Sequence, residues 1–202
     1  MKKNTVLFVI ISNFADWEPA LLAAGLQWGY GLWQNHYAVK TVAVNNDPVL
    51  SIGGLKVIPD YTVDNVPEDF SALILVGGTS WFSPEAQKFI PMIKKALDNN
   101  IIIGAICDAA RFLAVNGFIN DVEHTTNALS DIKSKTGSAY TGEEKFKHQL
   151  SVHCRNIITA KATGNIEFAR DIFTALNIAP KIKIDQFYEH FKNGDGNDIN
   201  HK

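Results

Sequence analysis

Five apolar runs punctuate the chain. Thr5 to Ser12, Val39 to Val44, Leu73 to Val76, Ile101 to Ile106 and Arg155 to Ala160 are each bounded by Gly, Asn, Asp or Ser. They lack the apolar–polar alternation of a strand with one wet face, so they read as strands of a parallel sheet buried on both faces. Helical patterns lie between them. Asp16 to Trp33 opens with an acidic cap candidate and a proline in its first turn, then carries Leu21, Leu22, Leu26 and Trp28. Pro84 to Leu97 places Phe89, Ile90, Ile93 and Leu97 at helical spacing, and Asp108 to Val115 and Ile166 to Leu176 predict shorter helices. Strands alternating with helices imply right-handed crossovers and an α/β domain with helices on both faces of a mostly parallel sheet. Val49 to Pro59, centred on Gly53-Gly54, interrupts this order as a small edge hairpin. Asn120 to Glu144 is polar with short β pieces. The stretch Asn193 to Lys202, rich in Asn, Asp and Gly, is expected to fray, leaving residues 1–192 as one domain.

Composition narrows the function classes. With 46% hydrophobic and 20% charged residues the chain is an ordinary globular protein, and a net charge of −2 without a block of like charge offers nothing to attract nucleic acid. No apolar stretch approaches the roughly 20 residues that span a bilayer. The start MKKNTVLFVIIS imitates a signal peptide, but Asp16 and Glu18 follow without a small-residue cleavage site, so the run is read as the first core strand. Two cysteines, Cys107 and Cys154, make no disulfide scaffold and fit a reducing cytoplasm. Neither GxGxxG nor GxxxxGK[ST] is present, and the six histidines show no HExxH spacing. No cofactor or metal is expected.

Parallel sheets bind ligands beyond the carboxyl ends of their strands, which directs attention to three junctions. Ala105-Ile106-Cys107-Asp108-Ala109 has the small-x-nucleophile-x-small form of a nucleophile elbow between a strand and a helix. There the helix N-terminus favours thiolate, which predicts a lowered thiol pKa. The alternative is a buried cysteine serving as a small hydrophobe. At the second junction, Gly77-Gly78 is either a close-packing turn or, with the N–H groups of Gly78 and Asp108, an oxyanion hole. At the first, Glu18 is either a solvated carboxylate favoured by the helix dipole or an acid, base or hydrogen-bond partner to the thiol. Trp17, Trp81 and Phe82 are candidates for pocket walls or for packing, Arg111 for an anion contact or a salt bridge, and Cys154 for a structural role.

These junctions, in this order, resemble the ThiJ/PfpI superfamily of class I glutamine-amidotransferase-like proteins, which includes PfpI-type intracellular proteases and deglycases. The resemblance runs through VLFVII, DWEPA, IGGLKVIPD, ALILVGG, IIIGAICDAARFLA and IITAKATGNIEFARDIFTAL, nearly the whole chain. It implies a flavodoxin-like three-layer sandwich, Cys107 as nucleophile, Glu18 against its sulfur, and Gly78 and Asp108 amides as oxyanion donors. It also implies a homodimer. The chain departs from its relatives at the base: Asp108 stands where PfpI-type proteases carry histidine, and Asn127 follows Thr125-Thr126 where other branches carry histidine. His124 and Asn127 are the remaining candidates near the sulfur. Three functions are expected on these residues: a cofactor-free cysteine hydrolase of peptide, amide or acyl bonds, in which Glu18 or Asp108 handles protons; a glyoxalase- or deglycase-like enzyme on 2-oxoaldehydes such as methylglyoxal, with Glu18 relaying the proton; or a redox-responsive protein with an oxidisable Cys107.

Overall fold

A computed structural model describes residues 5–34, 37–135 and 139–194. Strand β1 (Thr5–Val9) leads into helix α1 (Trp17–Trp28), which Gly29 ends in a left-handed conformation. Next come β2 (Ala38–Ala43), the short antiparallel pair β3 (Val49–Leu50) and β4 (Lys56–Val57), and β5 (Tyr61–Thr62). The order continues with β6 (Ala72–Leu75), α2 (Ile90–Asp98), β7 (Ile102–Ile106), α3 (Asp108–Val115) and α4 (Leu129–Lys135). The chain then forms β8 (Ser151–Cys154), β9 (Ile157–Ala160), α5 (Asn165–Ala175) and α6 (Lys181–Asn193).

The main sheet runs β5-β2-β1-β6-β7-β9-β8, parallel throughout except for β8 against β9. Its five central strands have the flavodoxin-like order. Burial on two faces explains the unbroken apolar runs. Val6, Phe8 and Ile10 point into one core with Leu22 and Leu26 of α1 and Phe168, Ile172 and Phe173 of α5. Leu7, Val9 and Ile11 point into the other with Ile93 of α2 and Phe112 and Leu113 of α3.

The elements differ from the sequence expectation where local chemistry outranks periodicity. Pro84 to Leu97 is not one helix: residues Pro84–Phe89 form a 3₁₀ stretch, and α2 begins at Ile90 with Pro91 in its first turn, where the missing N–H is tolerated. Asp16 makes no side-chain cap, because its carboxylate turns to the hairpin instead. The last predicted strand starts at Ile157 rather than Arg155, since Arg155 takes a positive φ of 57° in a tight turn back to β8, which the sequence pattern missed. Cys154 therefore ends β8. Asn120 to Glu144 holds α4 in place of the expected β pieces, with an isolated bridge between His124 and Phe146 beside it. Helix α6, which the pattern did not predict, extends to Asn193, the first residue of the stretch expected to fray; residues 195–202 of that stretch lie outside the described residues.

Candidate active site

Cys107 sits where β7 becomes α3. Its N–H still donates to the Ala160 carbonyl of β9 at 2.9 Å, while its carbonyl already accepts from Arg111 N–H at 3.2 Å in the first helical turn. Joining strand to helix within one residue forces φ 60° and ψ −130°. A non-glycine residue held there carries a strain of about 1–3 kcal/mol, the signature of an elbow. The thiol is partly exposed.

Glu18 reaches the thiol from the first turn of α1. It is 0% exposed, and neither carboxyl oxygen has a well-formed hydrogen bond. Gly77, at the end of β6, makes the approach possible: a Cβ there would strike the Glu18 carboxylate and lie 2.6 Å from both Cys107 Cβ and the Ile106 carbonyl oxygen. Burial pushes the Glu18 pKa up to about 7; the Cys107 thiol and the Gly77 amide oppose this only in part, and Asp108 adds to it. Burial, followed by the charge of Glu18, pushes the Cys107 thiol up to about 11 against the pull of Asn127 and the Asp108 N–H. The expected lowering of the thiol pKa is therefore reversed. The helix N-terminus acts, but burial of the sulfur and, after it, the acid beside it outweigh it, so thiol and carboxyl together retain at least one proton at neutral pH.

Asn127 completes the contacts on the sulfur. Its Nδ2 donates to Sγ at 3.2 Å, and its Oδ1 accepts the Ala162 N–H at 2.9 Å. His124, the other candidate, is not brought to the thiol. It is 0% exposed, Nδ1 pairs with the Val122 carbonyl and Nε2 with the Tyr140 hydroxyl, both at 2.8 Å, and Tyr140 and Phe146 meet its ring edge to face. Burial lowers its pKa. Its two nitrogens serve the packing of this loop rather than the sulfur.

Gly78, buried at φ 154°, is held to Phe14 by an isolated bridge, and Thr79 N–H donates to the Asn13 carbonyl at 3.2 Å. The Asp108 side chain pairs with Arg111 at 3.3 Å, and the Arg111 guanidinium lies 4.2 Å from the centre of the Phe82 ring. Trp81 is fully buried against Phe89 and Phe112, with its indole N–H on the Val76 carbonyl, and is a core residue. Trp17 is half exposed and spans to the β9–α5 loop, donating to the Ala162 carbonyl at 3.2 Å. Asp16 accepts from Ser51 Oγ and from Gly53 N–H, tying α1 to the β3–β4 hairpin. Sequence reasoning missed the Ala162 contact, which is a backbone group and carries no residue signal. Among the described residues, no group of three His, Cys, Asp or Glu side chains is placed to hold a metal ion. Nor is any helix among the described residues long and apolar enough to cross a membrane.

Comparison with known proteins identifies the family and agrees with the fold. The DJ-1/PfpI family pattern matches residues 4–175. The chain is 35% identical to the uncharacterized protease YdeA of Bacillus subtilis over 98% of each chain, and 30% identical to the uncharacterized protease YoaZ of the same organism over 88% of this chain and 86% of that one. Among solved structures it resembles the DJ-1 superfamily protein Atu0886 of Agrobacterium tumefaciens, with 31% identity, a TM-score of 0.84 and coverage of 95% of this chain and 100% of the other. It also resembles a thiJ/pfpI family protein of Bacillus anthracis, with 27% identity, a TM-score of 0.90 and coverage of 96% and 93%. A flavodoxin-like sheet with an elbow cysteine after its fourth central strand, matched along most of its length, places this chain in the DJ-1/PfpI family.

Proposed function

We propose that the protein is a cofactor-independent cysteine enzyme in which Cys107 adds to the aldehyde carbon of a small 2-oxoaldehyde such as methylglyoxal and Glu18 moves the protons. The observation that carries this reading is the pairing of the thiol with a buried carboxyl whose pKa is raised to about 7, and with an amide in place of an imidazole. Hydrolysis of an amide must protonate a poor amine leaving group and activate water, work usually given to histidine. Addition to an aldehyde expels no amine, and the thiol that water later displaces leaves far more readily than an amine, so one proton shuttle suffices.

In this scheme Glu18 accepts the thiol proton as sulfur bonds to the aldehyde carbon, then returns it to the carbonyl oxygen to give a hemithioacetal. The Gly78 and Asp108 N–H groups face the developing negative charge. Glu18 next takes the proton from the former aldehyde carbon, the neighbouring carbon gains one in return, and the hydroxyl proton passes to the neighbouring oxygen, which leaves the thioester of a 2-hydroxy acid. Water then cleaves the C–S bond, releasing a 2-hydroxy acid and restoring the thiol. A second reading, a hydrolase acting on peptide, amide or acyl bonds, is supported by the protease names of two relatives.

We also propose that two copies associate through the β3–β4 hairpin, where Leu50, Ile52, Leu55 and Ile58 are 49–74% exposed beside the site-bearing end of α1. Methylglyoxal consumption and cleavage of a fluorogenic peptide, each measured in wild type, Cys107→Ser and Glu18→Gln, test the chemistry. The expected result is turnover of methylglyoxal abolished by both substitutions. Peptide cleavage lost in Cys107→Ser without aldehyde turnover would install the second reading. Absence of both activities, with peroxide oxidising Cys107 selectively, would replace catalysis by redox sensing.

A further inference from the structure

A side-chain amide has a donating end and an accepting end, and at an exposed position little separates its two orientations. Asn127 is exposed, so the direction of its amide must be fixed from outside. The Ala162 N–H, 2.9 Å from Oδ1, does this: it selects the oxygen and leaves Nδ2 toward the sulfur. Ala162 lies between β9 and α5, and its carbonyl in turn accepts the Trp17 indole N–H at 3.2 Å. Asn165, at the start of α5, donates from Nδ2 to the Trp17 carbonyl at 3.4 Å, closing the contact from the other side. A half-exposed indole could give its N–H to water, and here it gives it to the Ala162 carbonyl instead.

We propose that Trp17 is a positioning residue of this site: by holding Ala162 it fixes the Asn127 amide with its N–H toward the Cys107 sulfur. The proposal rests on the reading of Cys107 as the nucleophile. The residue preceding Glu18 thus serves the sulfur through a second route. Glu18 raises the energy of the thiolate, and the Asn127 N–H lowers it.

The test titrates thiolate by its ultraviolet absorbance, subtracting Cys107→Ser so that Cys154 does not contribute, and measures alkylation by iodoacetamide through the mass of the Cys107 peptide. Wild type, Trp17→Phe, Asn127→Ala and their double mutant are compared. Loss of one hydrogen bond to a charged sulfur predicts an alkylation rate near neutrality about tenfold lower in Asn127→Ala, and about threefold lower in Trp17→Phe, which keeps the ring and loses the N–H. The thiolate titration moves to higher pH in both. The double mutant matches Asn127→Ala alone, since Trp17 acts through Asn127. Asn127→Asp, with the same shape and an acceptor toward the sulfur, shifts the titration further than Asn127→Ala.

The proposal is overturned by a Trp17→Phe titration that overlays wild type, or by effects of the two substitutions that add in full. Failure of the underlying reading looks different. Wild-type Cys107 would then resist iodoacetamide even at a pH where its absorbance shows the thiolate formed.

Discussion

Replacing Glu18 by glutamine should flatten the pH dependence of stability. In the folded protein Glu18 holds its proton up to about 7, against an ordinary 4.5. The folded state therefore binds more protons than the unfolded state between these values, and stability falls as pH rises through the interval. At about 1.4 kcal/mol for each pH unit, the carboxylate removes about 3 kcal/mol above neutrality and nothing in acid. Glutamine has the same shape and no charge to bury. Its unpaired amide shifts stability equally at all pH values, so the difference between the acid and alkaline arms isolates the ionisation. Urea unfolding of wild type and Glu18→Gln across the acid to mildly alkaline range measures it. The variant should lose the downward slope and, above neutrality, gain up to about 6–12 °C in Tm for a chain of this size. The same substitution removes the negative charge beside the sulfur, so the Cys107 titration should move to lower pH while aldehyde turnover is lost. Above neutrality, stability and thiolate content would then both rise while turnover is lost. Parallel pH profiles of stability for the two proteins would refute the buried, ionisable Glu18 on which this reasoning depends.

Gly77→Ala places a methyl against Glu18 and 2.6 Å from Cys107 Cβ and the Ile106 carbonyl oxygen. A loss of about 2 kcal/mol or more in urea unfolding is expected, together with slower alkylation of Cys107. His124→Ala removes a ring bonded at both nitrogens and should cost about 2–4 kcal/mol, yet leave the Cys107 thiolate titration where it was; a displaced titration would return His124 to the active site. Ser51 holds the Asp16 carboxyl below its usual pKa, so the tie between α1 and the hairpin persists above the ordinary carboxylate range and weakens as pH falls through the lowered value. Protection of the Gly53 and Leu55 amides, taken relative to their intrinsic exchange rates at each pH, should fall in acid, and at all pH values in Asp16→Ala; unchanged protection would remove this tie. Sedimentation should give a dimer for wild type and a monomer for Leu55→Asp with Ile58→Asp, and a monomeric wild type would remove the proposed interface.

Some features were legible along the chain because they answer to short-range physics. A run such as Val6 to Ile11 has no polar face to turn to water, so it must be covered on both sides, and it is. Ala105 and Ala109 around Cys107 left room for a turn too sharp for larger neighbours, and the strained φ of 60° is found there. Gly77-Gly78 marked the close approach. The departures occurred where several weak local preferences compete: Pro91 restarted a helix, Arg155 turned a strand back, and Asp16 preferred a distant serine to its own helix.

The ionisation of the thiol belonged to a different scale. A helix N-terminus is local and predicts thiolate, whereas burial and a neighbouring carboxylate depend on strands β6 and β7 and helix α1 meeting in space, and these prevail. The same holds for the partner of the sulfur. His124 and Asn127 are three positions apart, and nothing in their spacing decides between them. The loop carries the imidazole into a closed contact with Val122 and Tyr140, and Ala162 holds the amide outward to Cys107. Pattern and turn chemistry specify which groups a chain owns and which elements carry them; which of those groups share a proton is set by distances between segments remote in sequence, because electrostatic energy depends on separation and burial and not on order along the chain.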